Sequence, residues 1–225
     1  LNFYHSRNSM IICCISDTHG QHNQLDLSQY PADVLVHAGD WTKGRDIAFV
    51  ETEEFLSWFE DQPFKHKLLI AGNHELTVER HNKFFYELLE SYPSITYLQD
   101  SAVTIEGINF YGSPYSNEFY NWAFMGNEVK LSKVWAKIPE DTDVLITHGP
   151  AYGTHDLVKN AYGRDPHVGS TSLANRKKML SNLKLHVSGH IHEAAGQSEI
   201  NYINVCASVL NEKYQLVNNP IVVTI

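Results

Sequence analysis

Cysteine is scarce in this 225-residue chain, and its pattern excludes a disulfide scaffold. Cys13, Cys14 and Cys206 are odd in number, and two of them adjoin on a predicted core strand. They read as small core residues in a reducing, cytoplasmic setting. Basic residues are also short, with 17 Lys and Arg against 26 Asp and Glu, a formal charge of −9 and no long basic run. The chain would stay acidic with two divalent cations bound. Nonspecific binding to nucleic acid or to anionic membranes is therefore not expected. Long hydrophobic runs are missing too, so no membrane span and no signal-peptide core is expected. Nor is there an internal repeat or a low-complexity linker to mark a domain boundary. With 43% hydrophobic and 12% aromatic residues, the composition predicts one well-cored domain over residues 10–225. Leu1 to Ser9 is polar and does not start with Met, so a leader, a native extension or an expression remnant is expected there.

What the chain does have is a recurring pattern: an apolar strand that ends on Gly, Asp, Asn or His. Met10 to Ile15 is a continuous apolar run, the mark of a strand covered on both faces, and it ends at Asp17-Thr18-His19-Gly20. In extended chain, side chains two apart project to one side, so Asp17 and His19 are expected to converge. Strands at Asp33–Ala38, Lys67–Ala71, Asp143–Thr147 and Leu185–Ser188 end in turn at Asp40, at Asn73-His74, at His148 and at His190-x-His192. Helical spacing is read over Asp46–Asp61, Val78–Ser91, Glu128–Lys137 and Leu173–Asn182. Phe84, Phe85, Leu88 and Leu89 are expected in the core. Shorter strands are read at Thr96–Leu98, Ala102–Ile105, Ile108–Tyr111, Tyr202–Val205 and Ile221–Ile225, with a hairpin turn at Glu106-Gly107. Gly112–Gly126 and Ala151–Thr171 read as loops. Strand–helix alternation in the first half, with hairpins and late strands after it, predicts an α/β fold. The expected form is a four-layer α/β/β/α sandwich of two mixed sheets flanked by helices.

Asp17, His19, Asp40, Asn73, His148, His190 and His192 offer two carboxylates, one amide oxygen and four imidazoles. A single Zn²⁺ site takes about four ligands, so seven donors suit two ions sharing a bridge. Asp40, alone at its strand end, is the natural bridging carboxylate. His190 and His192 are spaced to send one ring to each ion. The mixed imidazole and oxygen donors suit Mn²⁺, Fe or Zn²⁺, with no thiolate to favour zinc; two divalent ions are expected, Mn²⁺ first, with Mg²⁺ a further alternative. Two such ions about 3.5–4 Å apart clamp a phosphoryl group, lower the pKa of a shared water and orient the resulting bridging hydroxide for in-line attack. His74, one residue past Asn73, would face the substrate, to stabilise equatorial charge or protonate the departing alkoxide.

In this order, Asp17-x-His19, Gly39-Asp40 with Gly44, Gly72-Asn73-His74-Glu75, His148 and Gly189-His190-x-His192 resemble the calcineurin-like metallophosphoesterase signature. Tyr111-Gly-Ser-Pro-Tyr115, Leu145–Pro150, Leu185–Glu193 and Asn219–Val222 resemble more narrowly the metallophosphoesterase-domain-containing subgroup. The resemblance implies that Asp17, His19, Asp40 and His192 hold one metal, that Asp40, Asn73, His148 and His190 hold the other, and that His74 is catalytic. It also implies the α/β/β/α sandwich and hydrolysis of phosphomonoesters or phosphodiesters, with cyclic-nucleotide phosphodiesterase activity in the subgroup. The protein-phosphatase branch carries a second acid and an Arg after its Gly-Asp block, where this chain has Trp41-Thr42-Lys43-Gly44-Arg45. That weakens a protein-phosphatase reading and leaves His74 without an assigned acid partner.

The expected activity is thus a phosphodiesterase on small nucleotide-type, even cyclic-nucleotide, substrates. The alternatives are a phosphomonoesterase and, in another class, a scaffold on the same fold. His37 reads as a hydrogen-bonded core histidine, and His5, His22, His66, His81, His155, His167 and His186 as surface or core residues. Glu75 and Glu193 read as supporting acids rather than ligands. Tyr115, Phe119, Tyr120 and Trp122 would pin a loop or stack on a base, and the first reading is preferred. Lys159 and Arg164 could meet a substrate phosphate, but as exposed basic residues they read first as solubility residues.

Overall fold

Strand β1, Ile11–Ile15, shows how this chain uses both faces of a strand. Ile12 and Cys14 enter one apolar cluster, while Cys13 and Ile15 enter another on the opposite face. The two adjacent cysteines therefore point apart, and all three cysteines are buried and free. The computed structural model describes residues 9–44, 46–159 and 166–225. Most of the expected leader (residues 1–8, with His5), Arg45 and Arg164 lie outside the described residues.

In chain order the remaining elements begin with β2 Val34–His37, α1 Val50–Glu60, β3 His66–Leu69, α2 Leu76–Arg80, α3 Asn82–Leu89 and β4 Ile95–Tyr97. Next come β5 Ser101–Ile105, β6 Ile108–Ser113, β7 Ser116–Asn117, β8 Met125–Gly126, α4 Glu128–Trp135 and β9 Val144–Thr147. The chain ends with α5 Thr171–Lys177, β10 Leu185–Ser188, β11 Gly196–Ile200, β12 Tyr202–Cys206 and β13 Ile221–Thr224. One sheet has the order β13-β1-β2-β3-β4 and the other β11-β12-β10-β9-β6-β5. Neighbours among β1 to β4 are parallel, as are those among β6, β9, β10 and β12. Antiparallel strands β13, β5 and β11 form three of the four sheet edges, and parallel β4 forms the fourth.

Three apolar clusters lie between four layers. The middle one packs Ile12, Val36 and Leu68 of the first sheet against Phe110, Ile146 and Val187 of the second. The outer face of the first sheet takes Phe55 and Phe59 of α1, Val78 of α2 and Phe85 of α3. The outer face of the second takes Leu131 and Trp135 of α4 and Leu173 of α5. This is the α/β/β/α sandwich expected from the sequence.

Several local expectations need correction. Helix α1 starts at Val50 rather than Asp46, because Ala48 and Phe49 adopt positive φ and interrupt the turn. Residues 78–91 hold two helices broken at His81, and Phe84 is 62% exposed, since a one-residue step rotates it away from buried Phe85. Helix α5 ends at Lys177, short of Asn182. The loop at 112–126 begins inside β6 and contains the small β7–β8 ladder, and β11 was not foreseen. The expected hairpin is present, with Glu106 and Gly107 at positive φ between paired Ile105 and Ile108. No helix among the described residues is long and apolar enough to cross a membrane.

Candidate metal centre

All five predicted strand ends are carboxyl ends of parallel strands, and the two sheets meet there. Asp17 and His19 follow β1, Asp40 follows β2, Asn73 and His74 follow β3, His148 follows β9, and His190 and His192 follow β10. The sheets are tied at this end: Ser16 N–H donates to the Ala207 carbonyl (2.9 Å), and His190 N–H donates to the Asp17 carboxylate (3.1 Å). The first two loops run in step, with Asp17 N–H on Gly39 O (2.9 Å) and His19 N–H on Asp40 O (3.1 Å).

The backbone there is not extended. Asp17, His19, Asp40 and His190 have φ of 54°, 41°, 60° and 71°. Asp17 and His19 converge through left-handed turns, which corrects the extended-strand expectation. Such conformations cost of order 1–3 kcal/mol each and persist where surrounding structure holds them. Gly39 (φ +96°) is required twice over: a Cβ there would also sit 2.7 Å from His148 Nδ1.

The eight predicted side chains come together in one place. Asp17, His19 and His192 form one group, His19, Asp40 and His74 a second, and Asp40, His148 and His190 a third. Within each group the ligand-type atoms lie within 4.8 Å of one another. Asn73 joins through Oδ1, 2.9 Å from His148 Nε2. Asp40 Oδ2 lies 3.4 Å from His148 Nε2, 3.8 Å from His19 Nε2 and 3.9 Å from His74 Nε2. His190 and His192 fall into different groups.

The ring nitrogens of the site are oriented by the backbone. His19, His148 and His192 each donate Nδ1–H to a backbone carbonyl, of Thr42, Ala38 and Asn211 respectively (2.9, 2.9 and 3.0 Å). A carbonyl can only accept, so in each neutral ring the lone pair is on Nε2. The Nε2 atoms of His19 and His192 then face each other at 3.3 Å. In the neutral form that binds metal these are opposed lone pairs beside two carboxylates, a donor set that fits a divalent metal site.

Charge is distributed to match. Burial alone would raise the Asp17 carboxyl, but the hydrogen bond and charge of His192 outweigh it and hold it well below the usual range. Burial is likewise overcome at Asp40, chiefly by His148 and His74. Burial would depress His148 and His192, yet Asp40 and Asp17 respectively push them up to about 9. Burial dominates at His19 and His190 and brings both down to about 4. Glu75 is fully enclosed, and burial together with the Asp40 charge pushes it up to about 8. Its carboxyl accepts N–H groups from Asp40 (2.9 Å), Thr42 (3.0 Å) and Gly72 (2.6 Å), so it clamps two site loops together. His37 is buried, bonded to Thr18 Oγ1 and Gly39 N–H, and outside the groups above.

Beside the groups opens a cleft of about 570 Å³, lined in part by Asp40, His74, Phe119, Trp122, Glu193 and Tyr214. Trp122 stacks on His74 with centroids 4.5 Å apart. Tyr115 packs into the core edge, while Phe119 and Tyr120 are 61% and 78% exposed. Lys159 donates its backbone N–H to Glu193. Tyr214 was not foreseen: it lies 4.9 Å from the His19 ring and 5.1 Å from that of His192. Nothing in its local sequence marks it, since only the fold brings residue 214 beside residue 19.

A four-layer sandwich with clustered histidines and carboxylates at the strand ends defines a metallophosphoesterase fold. Residues 10–194 match the family model described as calcineurin-like phosphoesterase, and the chain belongs to that family. It is 37% identical to metallophosphoesterase domain-containing protein 1 of Homo sapiens, over 93% of this chain and 69% of that protein. Its fold is similar to that of TT1561 of Thermus thermophilus (TM-score 0.63, 13% identity, 88% and 89% of the two chains). It is also similar to that of phosphopantetheinyl hydrolase from Mycobacterium tuberculosis (TM-score 0.57, 16% identity, 90% of each chain).

Proposed function

We propose that this metal-dependent phosphoester hydrolase works with two divalent cations, Mn²⁺ favoured, and prefers phosphodiesters of nucleotide type. Asp17, His19, Asp40 and His192 would hold one cation, and Asp40, Asn73, His148 and His190 the other. When bound, the cations supply charge neutralisation at the phosphoryl oxygens and activation of a water. The observation that carries this reading is the central place of Asp40, whose one oxygen faces imidazoles of both sets.

The chain's own residues supply the rest. The Glu75 carboxyl, accepting the Asp40, Thr42 and Gly72 N–H groups, fixes the Asp40 loop, and the carbonyl-bonded rings of His19, His148 and His192 are held in one orientation. His74 is the catalytic residue: its Nε2 proton passes to the departing alkoxide as the ester P–O bond breaks, while the attacking water gives up one proton to solvent as its oxygen bonds to phosphorus, and His74 regains a proton from solvent afterwards. The cleft gives room for a second ester substituent, and the cleft-lining rings of Phe119 and Tyr214 suit a nucleobase, which supports a diester over a monoester. Three buried free cysteines support a reducing, cytoplasmic setting, and residues 10–225 are read as one domain.

Metal analysis of the purified protein, coupled to turnover of bis-p-nitrophenyl phosphate, p-nitrophenyl phosphate and cyclic nucleotides, tests the proposal. Two metals per chain, with faster diester turnover that is lost on chelation and restored by Mn²⁺, are expected. Faster monoester turnover would overturn the diester preference. Bound metal without any turnover would favour the scaffold reading.

A further inference from the structure

His74 is held differently from its neighbours. His19, His148 and His192 each have Nδ1 tied to a carbonyl, but the buried Nδ1 of His74 has no hydrogen-bond partner among the described residues. A proton donor left free to rotate about χ2 would spend little time aimed at a leaving group. What restrains it is ring packing. The indole of Trp122 lies nearly parallel to the imidazole, at 4.5 Å and 17°, and His19 meets the ring edge-on at 4.4 Å and 71°.

The surroundings are built around that stack. Gly44 (φ +90°) lies so close that a Cβ there would come within 2.6 Å of Trp122 Cζ3 and 3.1 Å of His74 Nδ1. The segment carrying Trp122 is fastened to the His74 loop: Ala123 N–H donates to the Asn73 carbonyl (3.0 Å), and Phe124 N–H donates to Glu79 Oε1 (2.9 Å). The His74 backbone N–H in turn donates to Asp40 Oδ1 (2.8 Å). The ring is thereby slotted between Gly44, Trp122 and His19, with Nε2 directed toward Asp40.

We propose that Trp122 is the positioning residue for His74, its indole face doing for this ring what a backbone carbonyl does for the other three. This rests on the reading of His74 as proton donor. Trp122 then acts on kcat through His74, and most on substrates whose leaving oxygen needs a proton. It holds no metal and is not required for phosphate binding.

The test uses Mn²⁺-loaded protein and two aryl diesters: bis-p-nitrophenyl phosphate, with a good leaving group, and diphenyl phosphate, with a more basic one. Trp122→Leu keeps bulk and removes the flat face, Trp122→Phe keeps a face, and both are compared with His74→Asn and with the Trp122→Leu/His74→Asn double variant. For Trp122→Leu we expect kcat on diphenyl phosphate to fall about tenfold or more, short of the full effect of losing the acid. A much smaller fall on bis-p-nitrophenyl phosphate and unchanged KM and metal content should accompany it. Trp122→Phe should recover most of the loss, and the double variant should be no slower than His74→Asn, because residues acting as a unit are not additive. Equal losses on both diesters, reduced metal content, or a double variant slowed by the product of the single effects would overturn the proposal. If His74→Asn itself leaves the leaving-group dependence unchanged, the proton-donor reading fails, and that result is separate from any Trp122 result.

Discussion

At the residue scale the critical group is the Asp40 carboxylate. Its Oδ2 faces His148, His19 and His74, while Oδ1 accepts the His74 N–H. An amide can still accept that N–H, but it carries no charge to share between two cations. Asp40→Asn should therefore leave the chain folded and remove both metal occupancy and turnover. Partners outside the coordination shell cost 10–100-fold when lost, so the shared ligand should cost on the order of a hundredfold or more. Elemental analysis and turnover under saturating Mn²⁺ would measure it. Full activity with a full metal load would refute the bridging role. Glu75 works at the same scale: it never touches Nε2 of a site histidine, yet three backbone N–H groups converge on it.

At the scale of elements, helix α1 depends on a residue outside it. Phe49, at the position before the first turn, has φ 61° and makes no side-chain cap. Asp46 fills that role from a distance, accepting N–H bonds from Glu51 (2.9 Å) and Thr52 (3.1 Å). It also places a negative charge at the helix N-terminus. Removing a cap of this kind costs typically about 1 kcal/mol and at most about 2, so Asp46→Ala should destabilise by that amount. Urea unfolding would show a lower midpoint at unchanged slope. Phe55 and Phe59 would keep α1 on the sheet, so turnover at low denaturant should stay near that of the parent chain.

For the whole molecule, pH should act in two opposite senses. Burial holds His37 and His22 neutral, with pKa values brought down to about 3 and about 4 against an unfolded 6.5. Below 6.5 the unfolded chain takes up protons that the folded one refuses, so stability present above 6.5 is lost as pH falls. For fully buried His37 the slope approaches about 1.4 kcal/mol per pH unit. His148 and His192 run the other way. Their folded pKa values near 9 give stability that is full below 6.5 and lost as pH rises through 9, in metal-free protein. Thermal unfolding from pH 5 to 9 in chelator should peak near pH 6.5. Metal binding replaces those two protons, so with Mn²⁺ the alkaline decline should disappear and apparent metal affinity should climb with pH. A decline of equal size with and without metal would contradict this.

What the sequence determined by itself is the inventory and the layering. The continuous apolar run Met10–Ile15 required cover on both sides of β1, and the Gly-Asp, Gly-Asn-His and Gly-His-x-His strand ends named the side chains that the fold later collects. These signals are legible because they depend on neighbours one or two residues away. The helix ends at Val50, His81 and Lys177 were not, since caps and breaks there follow from tertiary contacts and positive φ rather than spacing. Only the tertiary structure decided that Asp17 and His19 converge through left-handed turns, that Tyr214 stands beside His19, and that Trp122 lies flat on His74. Each joins segments far apart in the chain, or needs a strained backbone that only surrounding contacts can hold, and no local pattern encodes either.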